Sequence, residues 1–183
     1  MKPVPLDEFP VHQMPQSMAR VGTSDRNFYD RYDFNAHDRT GDVFLVSGFG
    51  VYPNLGVLEA FVTVRHGDTK RSVRLSDALG DRSLEPAVGD YRIEVIDPQR
   101  RLRRGCEHPD LSMDMSWEGT FDAVLEERHV LLEGTRAMLD GSQFAQVGSW
   151  SGMLSVDGRD FAVDPAIWLD TRDRSGGSAR LAS

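Results

Sequence analysis

The segment LSMDMSWEG sets Leu111, Met113, Met115 and Trp117 against Ser112, Asp114, Ser116 and Glu118 in strict alternation. Successive residues of a strand point to opposite faces, so this pattern predicts a strand with one apolar and one polar side. YRIEVID repeats it, with Tyr91, Ile93 and Val95 on one face and Arg92 and Glu94 on the other. VLEAFVTVRHGDTKRSVRL predicts two strands around a turn at His66, Gly67 and Asp68. SQFAQVGSWSGMLSV and RDFAVD flank Asp157 and Gly158, a pair that tolerates the positive φ angles of a two-residue type I′ hairpin. Helix signals are short and confined to SDALGDRS and FDAVLEERH.

Many short strands with regular turns predict an all-β antiparallel fold, either a lipocalin-like (calycin-like) barrel or a strongly curved sandwich, with little helix. The barrel is preferred, because closing a sheet hides its apolar face and removes its edges. About eight strands leave room for one small ligand. The expected organisation is an extended N-terminal arm over residues 1–26, a β-barrel domain over 27–175 and a flexible tail over 176–183. The arm is rich in Pro and Met without a clear period, and reads equally as a strap lying on the domain or as a disordered tail.

Composition narrows the partners. At 183 residues the chain can bury a core without covalent staples. Its one cysteine, Cys106, excludes an internal disulfide and any cysteine-based zinc cluster. The formal charge of −8 opposes non-specific nucleic-acid binding, which needs a positive field. No apolar run approaches the length of a membrane span and the N-terminus lacks a signal-peptide core, so a cytoplasmic location is expected.

Few motifs carry chemistry. The histidines at 12, 37, 66, 108 and 129 show no metal-ligand spacing, so no metal or cofactor is expected. His37 and Asp38 in DFNAHDRTG read as an acid–base pair or, more simply, as a polar turn. SGFGVYPNLG has no helix behind it to make a phosphate cradle; its glycines suit bends of a curved sheet. RRLRR, residues 100–104, reads as a solvated strand or loop flanked by Glu107 and Asp110.

Three stretches carry a family resemblance: DRYDFNAHDRTGDVFLVSGFGVYPNLG, LSMDMSWEGTF and GSWSGMLSVDGRDFAVDPAIWLDTRDRS. Together they resemble the N-terminal half of the carotenoid hydratase (hydroxyneurosporene synthase) and AttH-like proteins, a tandem lipocalin-like family. Tyr32, Phe34, Asn35, Pro53, Asn54, Val156, Asp157, Gly158, Arg172, Asp173 and Ser175 match its pattern over most of residues 25–175. The tryptophan that the family pattern places after Ser175 is replaced by Gly176, and the sequence holds one barrel where the family has two.

The resemblance implies a barrel that binds an apolar small molecule such as an isoprenoid, steroid or polyketide, with acid chemistry of the hydratase or cyclase type. The alternative is a non-catalytic carrier, or a structural half-domain that forms a homodimer or pairs with a second lipocalin-like barrel. The ligand-binding wall is assigned to Met113, Met115, Trp117, Tyr91 and Trp150. The catalytic candidates are Asp173, Arg172 and Asp170, with Asp173 as the proton donor. The competing reading of DTRDRS is a structural clamp in which Arg172 pairs with Asp170 or Asp173.

Overall fold

The computed structural model describes residues 2–11, 17–82 and 84–179. His12 and the end of the expected tail, 180–183, lie outside these residues. The strands are β1 (Phe28–Asp38), β2 (Val43–Tyr52), β3 (Val57–His66), β4 (Thr69–Ala78), β5 (Ala87–Val88), β6 (Tyr91–Asp97) and β7 (Arg101–His108). They continue with β8 (Leu111–Gly119), β9 (Val124–Leu125), β10 (His129–Glu133), β11 (Arg136–Val156), β12 (Arg159–Val163) and β13 (Trp168–Ala179). Among the described residues the helical pieces are two 3-10 turns, Pro5–Glu8 and Pro53–Leu55.

Ten strands form one antiparallel sheet in the order β4-β3-β2-β1-β13-β11-β8-β7-β6-β5. β4 and β5, at the two ends of this order, come into contact, so the sheet curls into a nearly closed barrel. β9, β10 and β12 pair with the long strand β11. The expected lipocalin-like, all-β architecture is therefore the one observed. The short helix expected within SDALGDRS or FDAVLEERH is not. SDALGDRS leaves β4 through Gly80 at φ 58°, a left-handed conformation that no α-helix continues. FDAVLEERH holds β9 and the start of β10, where pairing with β11 overrides a weak local preference.

The predicted turns follow their chemistry. Asp157 and Gly158 have φ of 51° and 74°, the two positive angles of a type I′ hairpin between β11 and β12. The Pro53–Leu55 turn lets the Asn54 amide donate to the carbonyls of Thr23 (3.0 Å) and Asp25 (2.7 Å), which ties down the segment before β1. β13 runs on to Ala179, paired with β1 and β11, so the strand continues past residue 175, where the tail was expected to begin.

Register decides which residues face inward. Trp117 stands opposite Trp150, Met113 opposite Leu154 and Cys106, and Met115 opposite Arg104. Tyr32 and Phe34 on β1, Phe49 on β2 and Tyr91 on β6 complete an aromatic interior. Space for Trp117 comes from Gly148 on β11. A Cβ at this position would lie 2.5 Å from the indole and 2.6 Å from the Glu118 carbonyl. Gly148→Ala is therefore expected to destabilise the domain by roughly 1–3 kcal/mol, as overpacking does in a filled core. Chemical denaturation reads the difference; an unchanged midpoint would place Trp117 elsewhere.

Candidate functional site

The inward face of β13 is polar. Asp170, Arg172 and Arg174 are each 5% exposed or less, in a barrel whose interior is mostly apolar. Burying three ionisable groups on one strand is costly unless each finds a partner.

Arg172 finds one at the N-terminus. Its guanidinium donates to both carboxylate oxygens of Glu8, at 2.6 and 2.9 Å, and from Nε and Nη2 to the Gln146 amide oxygen, at 3.2 and 2.7 Å. Both charged side chains are fully buried. The guanidinium also lies over the Trp117 ring, 4.1 Å from its centre. Gln146 passes the network on, donating to the carbonyls of Gln99 (2.8 Å) and Phe121 (2.7 Å). Glu8 in turn accepts the Gln99 backbone N–H at 2.6 Å. The clamp reading of Arg172 thus needs a correction of partner: it pairs with Glu8, neither with Asp170 nor with Asp173. Sequence spacing could not find a partner that lies 164 residues away.

Arg174 anchors the same segment. It pairs with Asp30 and donates to the carbonyls of Glu8 (3.2 Å) and Phe9 (2.6 Å). The Tyr32 hydroxyl also donates to the Glu8 carbonyl, and the Val11 N–H donates to Asp30 at 2.7 Å. The arm through Val11 is thereby stitched across one end of the barrel. Two clefts of about 330 and 340 Å³ flank it. One is lined by Gln99, Phe121 and Gln146, the other by Phe28, Phe144 and Arg174.

Asp170 has no such partner. It is 3% exposed, and neither carboxyl oxygen accepts a hydrogen bond among the described residues. It stands opposite Gly148 on β11 and Ala36 on β1. The Trp117 indole lies over Gly148, and its Nε1 is likewise unpartnered. The Trp150 indole donates instead to the Asn35 carbonyl at 3.3 Å. Burial pushes the Asp170 pKa up to about 7, and the nearby indole N–H groups, Arg104 and Arg172 only partly offset it.

Asp173 is placed differently. It sits on the outer face of β13, directly opposite Asp33 of β1, and is half-buried. Burial, then the neighbouring charges of Asp33 and Glu126, push its pKa up to about 6. Met113, Met115, Trp117, Tyr91 and Trp150 all point inward and are 4% exposed or less.

Glu8, Asp30, Gln146 and Arg174 escaped the sequence reading, and so did Arg104. In RRLRR, Arg100, Arg101 and Arg103 are solvated, Arg103 bound to Asp114 through two hydrogen bonds of 2.8 and 2.7 Å. Arg104 is buried at 1% exposure, between Leu102 and Cys106 on the apolar side of β7. Its Nη2 donates to Ser47 Oγ at 2.6 Å and to the Tyr91 hydroxyl, and its plane covers Phe34 at 4.0 Å. The alternation Leu102, Arg104, Cys106 was the available signal. The other motif resolves into a turn: Asp38 accepts from Thr40 and from the Val43 N–H. Among the described residues no group of three or more His, Cys, Asp or Glu side chains is arranged to hold a metal ion.

Fold and interior together define a lipocalin-like β-barrel. Within that class, the chain belongs to a family of unknown function, DUF8625, whose model matches residues 4–182. Among solved structures it is similar to kievitone hydratase from Nectria haematococca, with a TM-score of 0.59 at 15% identity over 96% of this chain. It spans 58% of that enzyme's chain. Two structures of CghA, one with Sch210972, match at a TM-score of 0.47 and 11% identity, over 93% of this chain and 54% of theirs. No curated protein matched. At these identities the likeness is one of fold.

The two acidic positions separate by mutation. Glu8→Ala leaves the buried Arg172 cation without its carboxylate and should lower stability by about 3–5 kcal/mol. Asp173→Asn removes a half-buried, self-repelling charge and should melt at or above the parent at pH 8. Thermal melts of both variants check this; a Glu8→Ala protein as stable as the parent would mean that the arm does not hold the barrel end.

Proposed function

We propose that the barrel takes up an apolar small molecule of isoprenoid, steroid or polyketide type, and that Asp170 is the proton donor of a hydratase- or cyclase-type reaction. The observation that carries this reading is a buried, unpaired carboxyl group set against two tryptophans. An acid with a pKa close to the working pH is suited to proton transfer. In a hydration, Asp170 would give its proton to one alkene carbon. Water would add to the cationic carbon formed, and a water proton would return to the carboxylate, so that the net change is addition of water across the double bond. Trp117, Trp150 and Phe34 supply faces that tolerate cationic character. Met113 and Met115 supply apolar walls that can repack around a ligand. The likeness in fold to kievitone hydratase agrees with this chemistry, and the family resemblance in the sequence points the same way.

Asp173 is the weaker candidate, because it lies on the outer face beside Asp33. In this reading Arg172 is a positioning residue: it holds the arm through Glu8 and presses on Trp117. A second reading, pairing with another barrel or a second copy, draws on exposed apolar residues of the outer face and its flanking segments, Val147 and Leu169 with Phe121 and Val124. Sedimentation analysis of the purified chain separates a monomer from such a pair.

Asp170 also makes stability depend on pH in a defined direction. Its folded pKa, about 7, lies above the ordinary 3.8, so folding favours the protonated form. Its contribution is fully present below the ordinary value and is lost as pH rises from about 4 to about 7. Asp170→Asn, which cannot ionise, should therefore be more stable than the parent at pH 8 by about 1–4 kcal/mol, with the gap closing towards pH 4. The same variant should bind apolar ligands found on the purified protein by native mass spectrometry, yet fail to hydrate or cyclise them. Retained turnover in Asp170→Asn would remove this residue from the mechanism.

A further inference from the structure

We infer that the interior around Arg104 recognises a conjugated carbonyl oxygen, so that the ligand is an oxygenated apolar molecule, an enone of steroid or polyketide type, rather than a hydrocarbon. The inference rests on the reading of the barrel as an apolar-ligand site and names the functional group that the site takes.

It starts from an unbalanced charge. Among the described residues no carboxylate lies within ion-pair distance of Arg104, although its side chain is buried. Its contacts are neutral: the Ser47 and Tyr91 hydroxyls, and the rings of Phe34, Tyr91 and Trp150 at 4.0, 5.4 and 5.5 Å. One donor, Nε, is left unused. A buried guanidinium is costly to retain, and apolar residues of similar volume would fill the same space. Arg172 and Arg174, in the same barrel, each have a carboxylate. Arg104 is the exception.

The other unused groups face the same interior. Trp117 Nε1 lies over Gly148, across the ladder from Asp170, and both Asp170 oxygens are unpartnered. The Trp150 ring links the two halves. One side is near Arg104, and its N–H reaches the Asn35 carbonyl, next to Ala36, the other cross-strand neighbour of Asp170. A hydrocarbon would leave Arg104 Nε unpaired and would give the Asp170 carboxyl nothing beyond the indole N–H groups beside it. A carbonyl oxygen has two lone pairs, enough to accept from Arg104 Nε and from a protonated Asp170 or Trp117. Hydrogen bonds from a cation polarise such a carbonyl. Met115, opposite Arg104 on β8, is the flexible wall that can make room.

The test compares trans-chalcone, a conjugated ketone, with its hydrocarbon counterpart 1,3-diphenylpropene, on the full chain. Affinity is read from quenching of tryptophan fluorescence, and the state of the carbonyl from the chalcone absorption band. Chalcone should bind roughly 10- to 100-fold more tightly than the hydrocarbon, the range expected for hydrogen bonds to a charged group. Its band should shift to the red on binding. Arg104→Met should abolish the preference and the shift while hydrocarbon binding persists. Trp117→Phe, which removes one donor while keeping an aromatic ring, should reduce the preference several-fold, and it carries the test if Arg104→Met does not fold. Equal affinity for both probes in the parent, or a preference that survives the substitutions, overturns carbonyl recognition and leaves the apolar-ligand reading standing. Binding of neither probe overturns both.

Discussion

The bidentate contact between Glu8 and Arg172 is the constraint on which the rest of the interior depends. Asp170 and Arg172 are two residues apart on one strand and share a face. Left to themselves, they are the natural ion pair. Glu8 prevents this by taking both terminal nitrogens of Arg172, with Gln146 sharing one of them and holding Nε. The cation is then satisfied in the direction of the arm, and Asp170 is left in the apolar interior with a carboxyl group whose pKa burial raises to about 7. A single residue of the N-terminal arm therefore closes the barrel end and also shapes the acidity of a group deeper inside.

The clamp is expensive and specific. A buried ion pair often contributes little net stability over a well-packed apolar substitute, because both charges must leave water. What it supplies here is registry. Glu8 meets Arg172 with two oxygens, the Gln99 N–H with one of them, and the Tyr32 and Arg174 side chains through its backbone carbonyl. A one-residue slip of the arm would lose all of these together. This explains how a segment with no regular period, rich in proline and polar residues, holds a defined course across the barrel. Its order comes from the groups it satisfies.

The legible part of this structure is the part governed by local period. LSMDMSWEG and YRIEVID fix which residues face inward, and the left-handed tolerance of Asp157 and Gly158 fixes a hairpin. The same period, applied to DTRDRS, separates Asp170, Arg172 and Arg174 from Asp173. It does not say which face is the interior, because the charged residues on the two faces are chemically alike. Polarity suggests the surface for both. Only the paired strands β1 and β11, whose inward residues include Phe34, Gln146 and Trp150, decide it. Arg104 was hidden for the same reason: within RRLRR it is surrounded by arginines that are solvated, and the run reads as one charged stretch. The partner of Arg172 was illegible in a stronger sense, since nothing local encodes a contact spanning nearly the whole chain.

The three inward arginines divide the barrel into two chemical regions. Towards the arm, Arg172 and Arg174 are matched by Glu8 and Asp30, and most of the hydrogen-bonding capacity is spent. In the middle, Arg104 and Asp170 make no ion pair, although the charge of Arg104 is felt at the Asp170 carboxyl and the Trp150 ring lies beside Arg104. In a medium of low dielectric, groups left without a hydrogen-bond partner are costly to bury. The two regions differ in how far their polar groups are satisfied, and Trp117 touches both: Arg172 lies over its ring and Gly148 makes room for its indole.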